Sequence, residues 1–173
     1  DYDAEHKSAD HTTADPGLPL GYWRSVGHSF SGFFKESVMD ELAVAQQQDP
    51  VAFRLQHLNN NPRLAETLRL VAEKSGWQKN LPEGHFQGVA THTSFSSYAA
   101  QVAEVSVENG QLRVHKVTCV IDCGLAVNPD IVKAQMESGI IYGLSAALYG
   151  EITLKEGVVQ QSNFHDYQAL RMQ

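Results

Sequence analysis

The chain has 173 residues, of which 42% are hydrophobic and 19% charged, enough for one globular domain with a real core. A net charge of −7 and the lack of any Lys/Arg-rich run exclude nonspecific binding to nucleic acid, which rests on clustered cations. The longest strongly apolar stretch, Ile140 to Tyr149, falls short of the ~20 residues that a bilayer span needs, so no membrane span is expected.

Residues 1–20 are polar and carry the breakers Asp15-Pro16-Gly17 and Pro19, which predicts an extended or loosely attached arm. The opening Asp1-Tyr2-Asp3-Ala4-Glu5 has no initiator Met and no basic n-region, so a processed or excised chain without a secretory signal is expected. Residues 21–173 read as the folded part. From Phe30 the apolar residues Phe34, Val38, Leu42 and Ala45 recur with helical period, with Lys35, Glu36, Asp40 and Glu41 mostly off that face. Asp49-Pro50 reads as an N-cap followed by Pro at the first helical position, opening a short helix through Phe53, Leu55 and Leu58. Asn61-Pro62 repeats the signature, and its helix carries Leu64, Leu68, Val71 and Ala72 before a stop at Gly76.

After Gly88 the period changes to two. Tyr98–Val107 and Leu112–Ile121 flank Asn109-Gly110, a strong hairpin signal. Asn128-Pro129 opens a helix to about Leu148, and Glu151–Leu154 and Val158–Gln161 flank Lys155-Glu156-Gly157 as a second hairpin. Helices first, then hairpins around a long small-residue-rich helix, define an α+β fold.

The two cysteines, Cys119 and Cys123, share one face of a strand too far apart for a disulfide, so two buried free thiols are expected. They lack the further ligands of a metal site. The eight histidines show no ligand spacing and read mostly as surface or satisfied core residues.

Two stretches carry chemistry. Gly21-Tyr22-Trp23-Arg24-Ser25-Val26-Gly27-His28-Ser29 places an aromatic and an arginine in a glycine-bounded loop that runs into a helix start. Helix starts expose unpaired N–H groups that attract anions, and arginine adds a fork of donors; an ordinary glycine turn is the competing reading. Asp122-Cys123-Gly124-Leu125-Ala126-Val127-Asn128-Pro129 ends a strand and caps a helix on which Ala134, Ser138, Gly139, Gly143 and Ala147 are small. Glycine inside a helix costs about 1 kcal/mol relative to alanine, so Gly139 and Gly143 imply close approach of a backbone or a ligand. Gln135 projects near that stripe, either to bond a polar cofactor or merely to bond backbone in a helix packed on a sheet.

With both stretches in view, the chain resembles the molybdenum-binding large subunit of the xanthine oxidase superfamily, in the branch of isoquinoline 1-oxidoreductase beta subunits and related aldehyde dehydrogenases. The resemblance is carried by Gly21–Ser29, Glu36 with Met39–Ala43, Asp49–Leu55, Val120–Gly124, Val127–Pro129, Gln135–Leu144 and Gln161–Tyr167. It implies oxidation of an aldehyde or an N-heterocycle, with water as the oxygen source. It also implies a molybdopterin cofactor in its cytosine dinucleotide form and iron–sulfur clusters in a partner, a [2Fe-2S] small subunit.

An Arg-Gly-Phe-Gly loop lines the molybdenum pocket across the superfamily, and Arg24-Ser25-Val26-Gly27 stands in its place. Trp23, Arg24, Ser25, Gly27 and Gln135 are thereby implied as cofactor-binding residues. Arg24 also gains a catalytic role through pocket electrostatics, and Val26 becomes a small apolar wall of the substrate pocket. No metal ligand is implied in this chain. The superfamily's Gly-Val-Gly-Glu motif, which carries the general base, would follow Tyr167 and is not among these residues, so this segment is expected to be inactive alone and to need the remainder of the molybdenum subunit. The compartment, bacterial cytoplasm or periplasm, stays open. Two further readings also stay open: a structural or interaction domain without cofactor, and a small-molecule binding module that shares only the fold.

Overall fold

The structure is a computed structural model that describes residues 1–15 and 17–171. The fold is α+β and divides into two units, Asp1–Gly124 and Leu125–Gln173.

The first unit begins with three helices: α1 (His28–Ala45), α2 (Pro50–Gln56) and α3 (Pro62–Ser75). Their boundaries follow from local hydrogen bonding. The Asp49 carboxylate accepts from the Ala52 N–H at 2.8 Å, and Asn61 accepts from Leu64 at 3.4 Å, each with Pro at the first helical position. Asp49 also accepts from the Trp77 indole N–H at 2.7 Å, which ties the start of α2 to the residue just past α3. Gly76 ends α3 in the left-handed conformation (φ 67°), where a Cβ would be strained.

Three antiparallel strands follow in meander order: β1 (His85–Ser94), β2 (Ser97–Glu108) and β3 (Gln111–Asp122). Asn109-Gly110 makes the β2–β3 turn with both residues at positive φ, as the sequence predicts. The sequence reading has only two of these strands. β1 escapes it because its turn to β2 is Phe95-Ser96, which takes positive φ at both positions without the usual Asn-Gly.

α3 packs on one face of the sheet. Leu64, Leu68 and Val71 of α3 meet Val89, Ala100 and Val102 of the strands, with Phe53 and Leu58 closing the core beside them. Cys119 lies in β3 and Cys123 just beyond it; both are free thiols, half-buried rather than buried, and burial raises the Cys119 pKa.

The face of α1 is the main departure from the sequence reading. The stripe Phe30, Phe34, Val38 and Leu42 is exposed, whereas Glu36, Met39 and Ala43 are buried. The cause is a buried ion pair. The Arg54 guanidinium, with none of its side chain exposed, donates through Nε to Glu36 Oε2 at 2.9 Å, through Nη1 to Asp40 Oδ1 at 2.7 Å and through Nη2 to the Glu36 carbonyl at 3.0 Å. Glu36 Oε2 also accepts from the Thr91 N–H at 2.9 Å. A fully hydrogen-bonded carboxylate can occupy the interior, and its partner on α2 then dictates which side of α1 faces inward.

Among its described residues the N-terminal arm holds no helix or strand, yet its first residues are docked. The Tyr2 hydroxyl donates to the Glu36 carboxylate at 3.1 Å and lies 2.8 Å from Thr91 Oγ1, and the Asp3 N–H donates to the His57 carbonyl at 2.6 Å. Burial and the Glu36 charge raise the Tyr2 pKa, so the phenol keeps its proton for that bond.

In the second unit, Asn128 caps α4 (Pro129–Leu148) by accepting from the N–H groups of Asp130 at 3.0 Å and Ile131 at 3.3 Å. The second hairpin is shorter than the sequence suggests, pairing only β4 (Leu154–Lys155) with β5 (Val158–Val159).

Arg54→Met should cost about 3–5 kcal/mol in urea unfolding, because it leaves the Glu36 carboxylate buried without its closest cationic partner. Adding Glu36→Leu should recover much of that loss. A single variant within about 0.5 kcal/mol of the parent, the range of an ordinary surface change, would remove the ion pair from this role.

Candidate functional site

Trp23, Arg24, Ser25, Val26 and Gly27 come together in one tight turn against the first turn of α1. The Val26 N–H donates to the Trp23 carbonyl at 3.0 Å, and the His28 N–H to the Ser25 carbonyl at 3.0 Å. Val26 sits at φ +50°, the left-handed region that a β-branched side chain rarely adopts. Such strain clusters at functional sites and is held there by surrounding bonds. Here Ser29 supplies one of them, since its hydroxyl donates to the Val26 carbonyl at 2.9 Å.

That bond fixes the direction of the next. Ser25 Oγ and Ser29 Oγ are 2.6 Å apart, and with the Ser29 proton committed to Val26, Ser25 is the donor. Ser25 therefore keeps lone pairs, and no proton, for a ligand. The anion cradle expected at the start of α1 is largely consumed. No side chain caps α1, but the N–H groups of His28, Ser29 and Ser31 already donate to carbonyls of residues 25–27. Trp23 and Val26 are each about half exposed.

Behind the turn, α1 and the sheet bound a groove of about 510 Å³ lined by His28, Ser29, Gly32, Phe33, His92 and Gln101, among others. The sequence reading takes in His28 as part of the Gly21–Ser29 stretch but misses its partner His92. His28 Nδ1 lies 2.8 Å from His92 Nε2 with the rings edge to face at 5.0 Å, and Phe95 abuts His28 at 5.3 Å. His92 sits far along the chain on β1, and no spacing rule links the two. Burial first, then the neighbouring Lys35 and His28, lowers the His92 pKa.

Across the same end of the sheet, on the opposite edge strand, Arg63 of α3 grips Asp122 with two bonds of 2.6 Å and lies 4.4 Å over the Tyr98 ring. Asp122 also accepts from the Gly124 N–H at 2.9 Å. The Arg63 bond first, then that backbone bond, lowers the Asp122 pKa to about 2. This holds the strand end from which the second distinctive stretch departs.

Gln135 is exposed on α4, in the C-terminal unit. The close packing expected at Gly139 and Gly143 is not found: among the described residues, nothing lies within 4 Å of where a Cβ would stand at either position. α4 has no buried residue, although few of its side chains are charged. The glycines thus leave an open strip beside Gln135. Among the described residues, no group of three His, Cys, Asp or Glu side chains could hold a metal ion directly, and no helix is long and apolar enough to cross a membrane.

Comparison with known proteins shows the family. Residues 22–173 match the molybdopterin cofactor-binding domain, and the chain belongs to that family. It is 41% identical to the beta subunit of the isoquinoline 1-oxidoreductase of Brevundimonas diminuta, over 99% of the chain and 22% of that protein. It is 30% identical to one subunit of the nicotinate dehydrogenase of Pseudomonas putida, over 98% of the chain and 16% of that protein. The same identity, over 88% of the chain and 22% of the relative, links it to a membrane-bound aldehyde dehydrogenase (pyrroloquinoline-quinone) of Gluconacetobacter polyoxogenes. The chain thus spans less than a quarter of the length of these relatives.

Two outcomes are expected. Asp122 should stay ionised until the pH nears 2, seen as the titration of its carboxyl carbon by NMR, and Arg63→Gln should return its pKa toward 3.8. Because the folded pKa is the lower one, the contribution of this carboxylate to stability is present above pH 3.8 and is lost as the pH falls through about 2. Gly139→Ala and Gly143→Ala should each stabilise α4 by up to about 1 kcal/mol in thermal unfolding of the chain, as helix propensity dictates at an unobstructed site. A loss of similar size would mean that another surface closes on the strip.

Proposed function

We propose that this chain is the cofactor-binding segment of a molybdenum hydroxylase that oxidises aldehydes or electron-poor N-heterocycles, with water as the oxygen source. The observation that carries the reading is that the family match, 22–173, takes in both the strained Trp23–Gly27 turn and α4. The names of the relatives, an isoquinoline oxidoreductase and a nicotinate dehydrogenase among them, support the N-heterocycle class, and the aldehyde dehydrogenase supports the other.

The molybdopterin, in its cytosine dinucleotide form, would supply the two-electron redox centre, and a [2Fe-2S] small subunit would take the electrons onward. The residues of this chain bind and orient. Ser25 accepts from a cofactor N–H, since its own proton is spent on Ser29. Trp23 offers an aromatic face and Gly27 lets the backbone approach closely. Gln135 bonds a polar edge through its amide. Val26, with a short side chain, walls the substrate pocket and leaves room that an aromatic would fill. Arg24 is the catalytic contributor: its fixed charge stabilises the negative charge that develops on the substrate oxygen or nitrogen. The remainder of the molybdenum subunit supplies the general base, so the isolated chain is inactive and binds the cofactor weakly.

A stand-alone interaction domain is the second reading, favoured by the exposed aromatics Phe30, Phe33 and Phe34 on α1. Metal and phosphorus analysis of the intact protein separates the two, with near-stoichiometric molybdenum expected for the first and none for the second. In the molybdenum-loaded protein, Arg24→Ala should lower turnover by about 10²–10³ with little loss of stability. A fall of less than about tenfold at full occupancy would overturn the role given to Arg24.

A further inference from the structure

We infer that a hydrogen-bond relay, Lys35 to His92 to His28, fixes the tautomer of His28 so that its Nε2–H is a standing donor to an oxygen of the bound cofactor. The inference rests on the functional reading above and adds to it a binding residue, His28, and a positioning residue, His92.

The logic is one of proton counting. Lys35 Nζ lies 3.4 Å from His92 Nδ1. An ammonium has only donors, so Nδ1 of His92 must present its lone pair. The single ring proton of neutral His92 is then on Nε2, and that atom faces His28 Nδ1 at 2.8 Å. His92 donates, so His28 Nδ1 accepts, and the proton of neutral His28 is on Nε2. His28 directly follows Gly27 and lines the groove. The relay therefore ends in an N–H donor at the edge of the Trp23–Gly27 turn. This matters because the Val26 N–H of that turn and the His28 and Ser29 N–H groups that follow it are already bonded, and Ser25 offers only lone pairs.

The first member is held as firmly as the last. Besides His92, the Lys35 ammonium faces the Asp1 carboxylate and Glu36 Oε1, the latter at 3.5 Å, so its charge is anchored by the network that orients α1. The His92 ring packs directly on α1 at Gly32, where a Cβ would stand in van der Waals contact, 3.4 Å from its Nδ1. The lowered His92 pKa keeps the ring neutral, as a relay with one mobile proton per ring requires.

The test uses the intact, cofactor-loaded protein with nitrogen-labelled histidine. Ring-nitrogen chemical shifts should show both His28 and His92 protonated at Nε2 alone; a proton on Nδ1 of either ring overturns the relay. His92→Leu fills the space without polarity and should weaken molybdenum retention by about tenfold, the effect of one lost hydrogen bond to a charged acceptor. His28→Ala should match it. His92→Gln should restore retention, because a carboxamide oxygen can accept from Lys35 while its NH₂ donates to His28. Full retention in His92→Leu, or failure of His92→Gln to differ from it, overturns the positioning role. Full molybdenum with a raised KM in His28→Ala places the acceptor on the substrate and overturns the cofactor assignment. A parent protein without molybdenum refutes the functional reading and this assignment with it, while the ring-nitrogen shifts still decide the relay.

Discussion

The carboxylate of Glu36 is where the helices, the sheet and the N-terminal arm of the first unit meet. It accepts from Arg54 on α2, from the Thr91 backbone on β1 and from the Tyr2 hydroxyl. A buried charge is tolerated only when its lone pairs are filled, and each of these donors belongs to a different segment. The bonds therefore do more than satisfy Glu36. They fix the rotation of α1 about its axis, and with it everything that α1 carries at its N-terminus.

Three consequences follow from that rotation. The Trp23–Gly27 turn is seated at the start of α1, with Val26 held in a backbone conformation that needs such support. Lys35, next to Glu36, is directed to His92 instead of to solvent. The aromatic stripe Phe30, Phe33 and Phe34 is left on the outside. A stability device in the core and a polar turn at the surface are thus two ends of one helix, linked by the neighbours Lys35 and Glu36.

What was legible in the sequence was local. Asp49-Pro50, Asn61-Pro62 and Asn128-Pro129 each announce a helix start, because a short side chain and the next few N–H groups suffice to make the bond. Gly76 and Asn109-Gly110 are legible for the same reason, since their backbone conformations admit few residue types. What was not legible depends on partners distant in the chain. The apolar period of α1 points to the wrong face because Glu36 finds Arg54 only after folding. β1 is hidden by a Phe95-Ser96 turn that lacks glycine, and the His28–His92 pair joins residues from two elements. The turn residues Trp23 to Gly27 came from family resemblance, and spacing alone would not have separated them from an ordinary glycine loop. The small residues of α4 were legible as unusual, but among the described residues nothing packs closely on Gly139 or Gly143.

In the function proposed, the Trp23–Gly27 turn faces a molybdenum-bearing cofactor. Anomalous diffraction from crystals of the intact protein, collected on both sides of the molybdenum absorption edge, tests it most directly. A single strong difference peak is expected beside this turn, with continuous density for the cofactor reaching the Ser25 hydroxyl oxygen. A molybdenum peak remote from the turn, or full-occupancy protein crystals with no peak at the edge, would contradict it.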